Sequence, residues 1–138
     1  MLNRRKRLIV HCHHPQTLAE VRNALARTVE FVVAGDMPTL EAALRLYHQV
    51  DGLLVENRPP AGFPERALKM SAERLPEVPR IGLVDCEATS GVHTALASGL
   101  ITRIVLMPFS SLELASAAGV EAAARHAAAP FIRRSLAG

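Results

Sequence analysis

Asp51–Pro60 reads DGLLVENRPP. Leu53, Leu54 and Val55 run straight into Glu56, and a polar, proline-rich loop follows at once. A short continuous apolar run bounded by turn residues fits a strand buried on both faces, as in the middle of a parallel sheet. Open α/β folds place their ligands beyond the carboxyl ends of such strands. The strand therefore delivers the Glu56 carboxylate to the rim where function is expected.

The same unit recurs in both directions. Upstream, Arg7–Cys12 (RLIVHC) reads as a strand, and Pro15 opens a helix whose Leu18, Val21 and Leu25 form one apolar stripe. Val29–Ala34 (VEFVVA) is a second strand, Gly35 and Asp36 turn the chain, and Pro38 opens a helix lined by Leu40, Ala43, Leu44 and Tyr47. Gly52–Glu56 is the third strand, with Asn57–Pro64 as its loop. Downstream, Glu65–Arg74 is a helix turning Ala67, Met70 and Leu75 inward, stopped by Pro76 and Pro79. Arg80–Val84 (RIGLV) is the fourth strand, with Asp85 and Cys86 behind it. Thr89–Leu96 is a weaker helix carrying Gly91, with Gly99 as its C-terminal cap. Ile101–Met107 (ITRIVLM) is the fifth strand, and the capping-box spacing of Ser110 and Glu113 starts a last helix over Ser111–Ala128. Five βα units with short connections predict an α/β, flavodoxin-like doubly wound sheet of five parallel strands, order 2-1-3-4-5, with helices on both faces.

At 138 residues the chain makes one domain with a sizeable core. We expect a domain over residues 1–129 and a tail, or the start of a linker, over 130–138. Cys12 and Cys86 have no framework spacing and read as reduced thiols of a cytoplasmic protein. No run approaches the ~18 apolar residues of a membrane span. The apolar segment behind the basic N-terminus, Leu8–Val10, is too short for a signal peptide. The net charge of +3 gathers at the ends, in Arg4, Arg5, Lys6 and Arg7 and in Arg133 and Arg134. No recognition motif accompanies that charge, so nucleic-acid contact by this chain alone is not expected. Neither GxGxxG nor a P-loop is present, and HHPQT after the first strand offers little to an anionic cofactor.

Three stretches together resemble the receiver domains of bacterial two-component response regulators, the CheY-like family. LIVHCHHP is similar to that family's first strand, where two acidic residues normally follow the apolar run. DGLLVENRPP is similar to its third strand, where the phospho-accepting aspartate precedes a proline. MPFSSLEL is similar to its fifth-strand exit, normally Lys-Pro-Phe and a serine-capped helix. The resemblance implies a nucleophilic carboxylate, with Mg²⁺ bridging phosphate and acids.

The departures from that pattern decide the chemistry. Glu56 stands at the acceptor position, and its extra methylene displaces the carboxylate by roughly an ångström, which can cost about a hundredfold in rate. His11 and Cys12 replace the acidic pair, and neither suits a hard ion that wants carboxylate oxygens. Val84 stands where a hydroxyl is expected, Met107 where the lysine is, and Ile104 where the aromatic switch residue is. The set implies a degenerate phosphorylation pocket: a pseudo-receiver, not an enzyme, that uses no cofactor and works by protein contact. The alternatives are a flavodoxin-like ligand- or metal-binding domain, or an atypical receiver still able to accept phosphate.

His11, Cys12, His13 and His14 with Glu56 and Asp85 raise the question of a transition metal. Strand alternation sends His11 and His13 to one side and Cys12 and His14 to the other, so no metal site is assigned. We expect Glu56 to pair with a nearby basic or histidine side chain, His11 being the candidate, and the contact to raise the histidine pKa; the alternative is that its charge mimics a phosphorylated aspartate and holds an active-like state. In the last helix Leu112, Ala115, Ala118 and Ala122 are expected to face the sheet. The opposite side, Ser116, Ala117, Val120 and Ala124, is small and weakly polar, with the Glu121 and Arg125 pair along one edge. With Arg103 and Ile104 of the fifth strand, that side makes a candidate surface for a protein partner or homodimer. The family's usual contact face (helix 4, strand 5 and helix 5) is the same one, and an output domain in a longer parent protein would be a natural partner.

Overall fold

A computed structural model describes residues 5–25, 29–58, 63–86 and 89–120. Its elements are β1 (Lys6–His11), α1 (Pro15–Leu25), β2 (Val29–Val33), α2 (Met37–Leu46), β3 (Gly52–Asn57), α3 (Glu65–Arg74), β4 (Arg80–Asp85), α4 (Val92–Ser98), β5 (Arg103–Met107) and α5 (Ser111–Ala118). The sheet is five-stranded with order β2-β1-β3-β4-β5, and all four pairings are parallel. The doubly wound topology read from the sequence is the observed one.

Both faces of the sheet are covered, so the central strands are apolar at successive positions and not at alternate ones. On one face Leu8, Val10, Leu54, Leu83 and Val105 pack with Val21 and Leu25 of α1 and with Leu114 and Ala115 of α5. On the other, Ile9, Leu53 and Val55 pack with Leu40 and Leu44 of α2, Leu68 of α3 and Ala95 of α4. β3 is buried along its whole length, Glu56 and Asn57 included. Asp36 starts α2 by accepting from the Thr39 N–H at 2.9 Å, with Pro38 in the first turn.

The last helix departs from expectation. Gly119 adopts the left-handed conformation, φ 72°, and caps α5 with its N–H directed at the Ala115 and Ser116 carbonyls, so the helix stops at Ala118 and does not run to Ala128. Its capping box forms as read, and the buried stripe is Leu114, Ala115 and Ala118. Leu112, expected against the sheet, is 64% exposed; at about 100° per residue it lies roughly 200° around the helix from Leu114. Ala117 and Val120, expected on the outer side, pack partly against the core, and of the described members of that set only Ser116 is exposed. Glu121, Ala122, Ala124 and Arg125 lie outside the described residues, as does the 130–138 tail. α4 starts at Val92 and not at Thr89, because Gly91 ahead of it is left-handed, with φ 83°. β5 starts at Arg103, with Ile101 buried just before it.

Candidate functional site

The carboxyl edge of the sheet gathers the ends of β1, β3, β4 and β5. In the registers, Val55 lies beside His11, Glu56 beside Leu83, Asn57 beside Val84, and Asp85 beside Met107. Glu56 sits at the centre and is 7% exposed. Its Oε1 accepts from the His13 N–H at 2.9 Å and from the His14 N–H at 3.4 Å. The His14 Nδ1 donates to its Oε2 at 3.1 Å, and the Arg58 Nε lies 3.8 Å from the same oxygen. The Thr17 hydroxyl, fully buried, lies beside the carboxylate without forming a well-aligned hydrogen bond.

These contacts set the charge of the site. Burial pushes the Glu56 pKa up, but the neighbouring Thr17 hydroxyl, the His13 N–H and the His14 ring outweigh it and hold the carboxyl below its usual range. Glu56 is therefore ionised and bonded at both oxygens. The β1–α1 loop, which the receiver resemblance would fill with acidic metal ligands, instead turns N–H groups and an imidazole toward an anion, and that anion is the chain's own glutamate.

The other positions read from the sequence lie near it, with one correction. His11 does not pair with Glu56. Its Nδ1 donates to the Ala34 carbonyl at 2.8 Å, its ring meets His13 edge-on at 5.8 Å between centroids, and burial lowers its pKa below 6.5. His14 takes the pairing instead, because the loop after Cys12 leaves strand geometry and folds its backbone over the carboxylate. Cys12 points into the core, 6% exposed, and burial, reinforced by Glu56, pushes its thiol up to about 11. Val84 is fully buried, and Met107 is 4% exposed.

Arg58 is the residue of this site that the sequence reading missed. Its Nη2 lies 3.4 Å from the Met107 Sδ, so a guanidinium from just beyond β3 reaches the sulfur at the position assigned to the family's lysine. Side chains at i and i+2 of an extended chain leave on the same side, and that spacing after Glu56 was the available signal. A cleft of about 350 Å³ opens beside this pair, lined by Gln16, Glu20, Arg58, Asp85, Cys86, Met107 and Pro108.

The donors present do not fit Mg²⁺. Of the positions that should supply oxygen, one holds an imidazole committed to a backbone carbonyl and one a buried, protonated thiol, while the central carboxylate is already bonded on both oxygens. Among the described residues no group of three or more His, Cys, Asp or Glu side chains is placed to hold a metal ion.

A second feature lies on the flank of the sheet. A groove of about 760 Å³ runs along the edge strand β5 between α4 and α5. Its walls include Leu96, Arg103, Ile104, Leu106, Leu112 and Ser116. Leu96, Leu106 and Leu112 are 42%, 53% and 64% exposed, three of the four exposed large apolar side chains among the described residues. No helix among those residues is long and apolar enough to cross a membrane.

No protein-family model matches the chain, and no curated protein matches its sequence. Solved structures do match its fold. An adenylate cyclase from Rhodopirellula baltica superposes with a TM-score of 0.74 at 14% identity, over 84% of this chain and 86% of that one. The signal receiver domain of an HD domain-containing protein from Pseudomonas fluorescens Pf-5 gives 0.68 at 21% identity, over 85% and 86%. A response regulator receiver domain protein from Clostridium thermocellum gives 0.72 at 15% identity, over 83% and 91%. With its strand order and its site at the carboxyl edge, the chain has the fold of a response-regulator receiver domain.

Proposed function

We propose that the chain is a pseudo-receiver: a cytoplasmic signalling module of the two-component type that neither accepts nor transfers phosphate and acts through protein contacts. The observation that carries this reading is the engagement of Glu56. Phosphoryl transfer needs a carboxylate free to attack in line, a metal across phosphate and acids, and a donor for the transferred oxygens. Here the carboxylate is bonded to the β1–α1 loop, the metal ligands are replaced, Val84 has no hydroxyl, and Arg58 is turned to Met107 and Glu56.

The contact surface is the α4–β5–α5 face. Large apolar side chains are exposed together there, along a strand whose outer edge has no neighbour in the sheet. Such a patch marks an interaction site, and only one other large apolar side chain is exposed among the described residues. Its partner is a second copy or the output domain of a longer parent chain. Size-exclusion chromatography with light scattering on the wild type and on Leu106→Asp tests the surface. We expect concentration-dependent association that the substitution abolishes while the circular dichroism stays native. Association unchanged in Leu106→Asp overturns the assignment of the face, and a wild type monomeric at every concentration removes the homodimer.

A further inference from the structure

The cleft beside Glu56 carries both signs of charge. Arg58 lines it from just beyond β3, Gln16 and Glu20 from α1, and Asp85 from the end of β4, while Met107 and Pro108 give it an apolar part. At about 350 Å³, and at the carboxyl edge of the sheet, it has the size and the place of a small-ligand site in an open α/β fold.

Arg58 holds donors in reserve. Every nitrogen of a guanidinium donates and none accepts. Among the described residues its Nη2 meets only the Met107 Sδ, a weak acceptor, and its Nε is buried without a hydrogen bond, 3.8 Å from the Glu56 Oε2. Glu56 does not line the cleft and is already bonded on both oxygens, so the outer nitrogens of Arg58 remain short of an acceptor. The planar fork of an arginine matches a carboxylate, which it binds through paired parallel hydrogen bonds. The opposite charge comes from the acidic residues of the same wall. The Glu20 Oε2 accepts from the Gln16 Nε2 at 3.2 Å, while its Oε1 takes no hydrogen bond among the described residues. Asp85 adds a second carboxylate.

A simple anion drawn to Arg58 meets those carboxylates, and a simple cation drawn to them meets Arg58. A ligand that carries both charges a few bonds apart satisfies both. We propose that the cleft binds a free α-amino acid with an apolar side chain. Its carboxylate lies on the Arg58 guanidinium, its ammonium on Glu20 and Asp85, and its side chain against Met107 and Pro108. Binding of this kind does not depend on whether the chain accepts phosphate.

An NMR titration of amide shifts on the full chain tests the site. The probes are leucine, isocaproate (leucine without its amino group) and isoamylamine (leucine without its carboxylate). We expect leucine to shift the amides of Gln16, Glu20, Asp85 and Met107 along saturating curves with a Kd of about 1 mM or tighter, and each singly charged probe to bind about tenfold more weakly. Arg58→Gln should weaken leucine about tenfold and leave isoamylamine unchanged. Glu20→Gln, a change on the surface of α1 that spares the fold, should weaken leucine and leave isocaproate unchanged. Absence of saturable leucine shifts in wild type overturns the proposal. Isocaproate binding as tightly as leucine overturns it too, since the acidic wall then plays no part, and so does unchanged leucine affinity in Glu20→Gln. Neither a phosphodonor nor Mg²⁺ enters the titration, so its failure is distinguishable from failure of the pseudo-receiver reading.

Discussion

Replacing Glu56 with glutamine removes one charge and almost no volume, so it isolates what the carboxylate does in its pocket. The oxygen that accepts from the His13 N–H is retained, but that bond loses its charge assistance. The amide nitrogen replaces the oxygen that faces the His14 ring and the Arg58 guanidinium, and there it meets donors. Charge-assisted hydrogen bonds contribute about 1 kcal/mol more than neutral ones, and two are affected, so we expect Glu56→Gln to destabilise the domain by about 2 kcal/mol. With an unfolding entropy of about 2 cal/mol/K per residue over a chain of this length, the midpoint falls by about 7 °C. The pH dependence separates this cause from a packing defect. The folded-state pKa of Glu56 is depressed below 4.5, so its contribution is fully present above pH 4.5 and is lost as pH falls through the folded value. The gap between wild type and Glu56→Gln should be full at pH 7 and close as the acid limit is approached. Urea denaturation at pH 7 and pH 3.5, followed by circular dichroism, measures it. A variant as stable as wild type at pH 7, or a gap that does not shrink in acid, refutes the view of Glu56 as an ionised anchor of the β1–α1 loop.

Three further outcomes follow from the structure. Cys12 titrates near 11 when folded against 9.0 when unfolded, so alkali deprotonates the unfolded chain first; about 2 kcal/mol of stability should drain away between pH 9 and 11 in wild type and not in Cys12→Ala, read from pH-dependent urea midpoints. His11, lowered below 6.5 by burial, acts on the acid side: the unfolded chain takes up the proton first, so wild type loses stability as pH falls below 6.5, and His11→Gln should show a flatter profile over that range. Arg80→Met strands the carbonyls of Val78, Gly99 and Leu100 and should cost about 3 kcal/mol by urea denaturation, well beyond the ~1 kcal/mol expected of Ser110→Ala, which removes only the cap of α5.

The strands were the most legible part of the chain. Leu8–Val10, Leu53–Val55 and Ile81–Val84 are apolar at successive positions because they are covered on both sides, and that signal survives without any alignment. Helix ends were less legible. A run of alanines around Gly119 reads as one continuous helix by propensity, yet the left-handed glycine ends it. The face of α5 was misjudged because Leu112 and Leu114 are equally apolar in sequence, and only the fold shows that Leu114 is buried and Leu112 exposed. At the site, the position of Glu56 and the missing receiver groups were readable as residue types. Its partners were not, since two of its bonds come from the backbone of His13 and His14, and backbone donors carry no sequence signature. The groove escaped notice for a similar reason: Leu96 and Leu106 are ordinary apolar residues in sequence, and only the fold exposes them side by side with Leu112.

The pseudo-receiver reading is tested most directly by exposing the full chain to a small-molecule phosphodonor with Mg²⁺ and weighing the intact protein by mass spectrometry. The account predicts an unmodified mass at every time point, for wild type and for Glu56→Asp alike, because restoring the shorter carboxylate returns neither the metal ligands nor the groups lost at Val84 and Met107. A stoichiometric phosphoryl adduct mapped to Glu56 would contradict it.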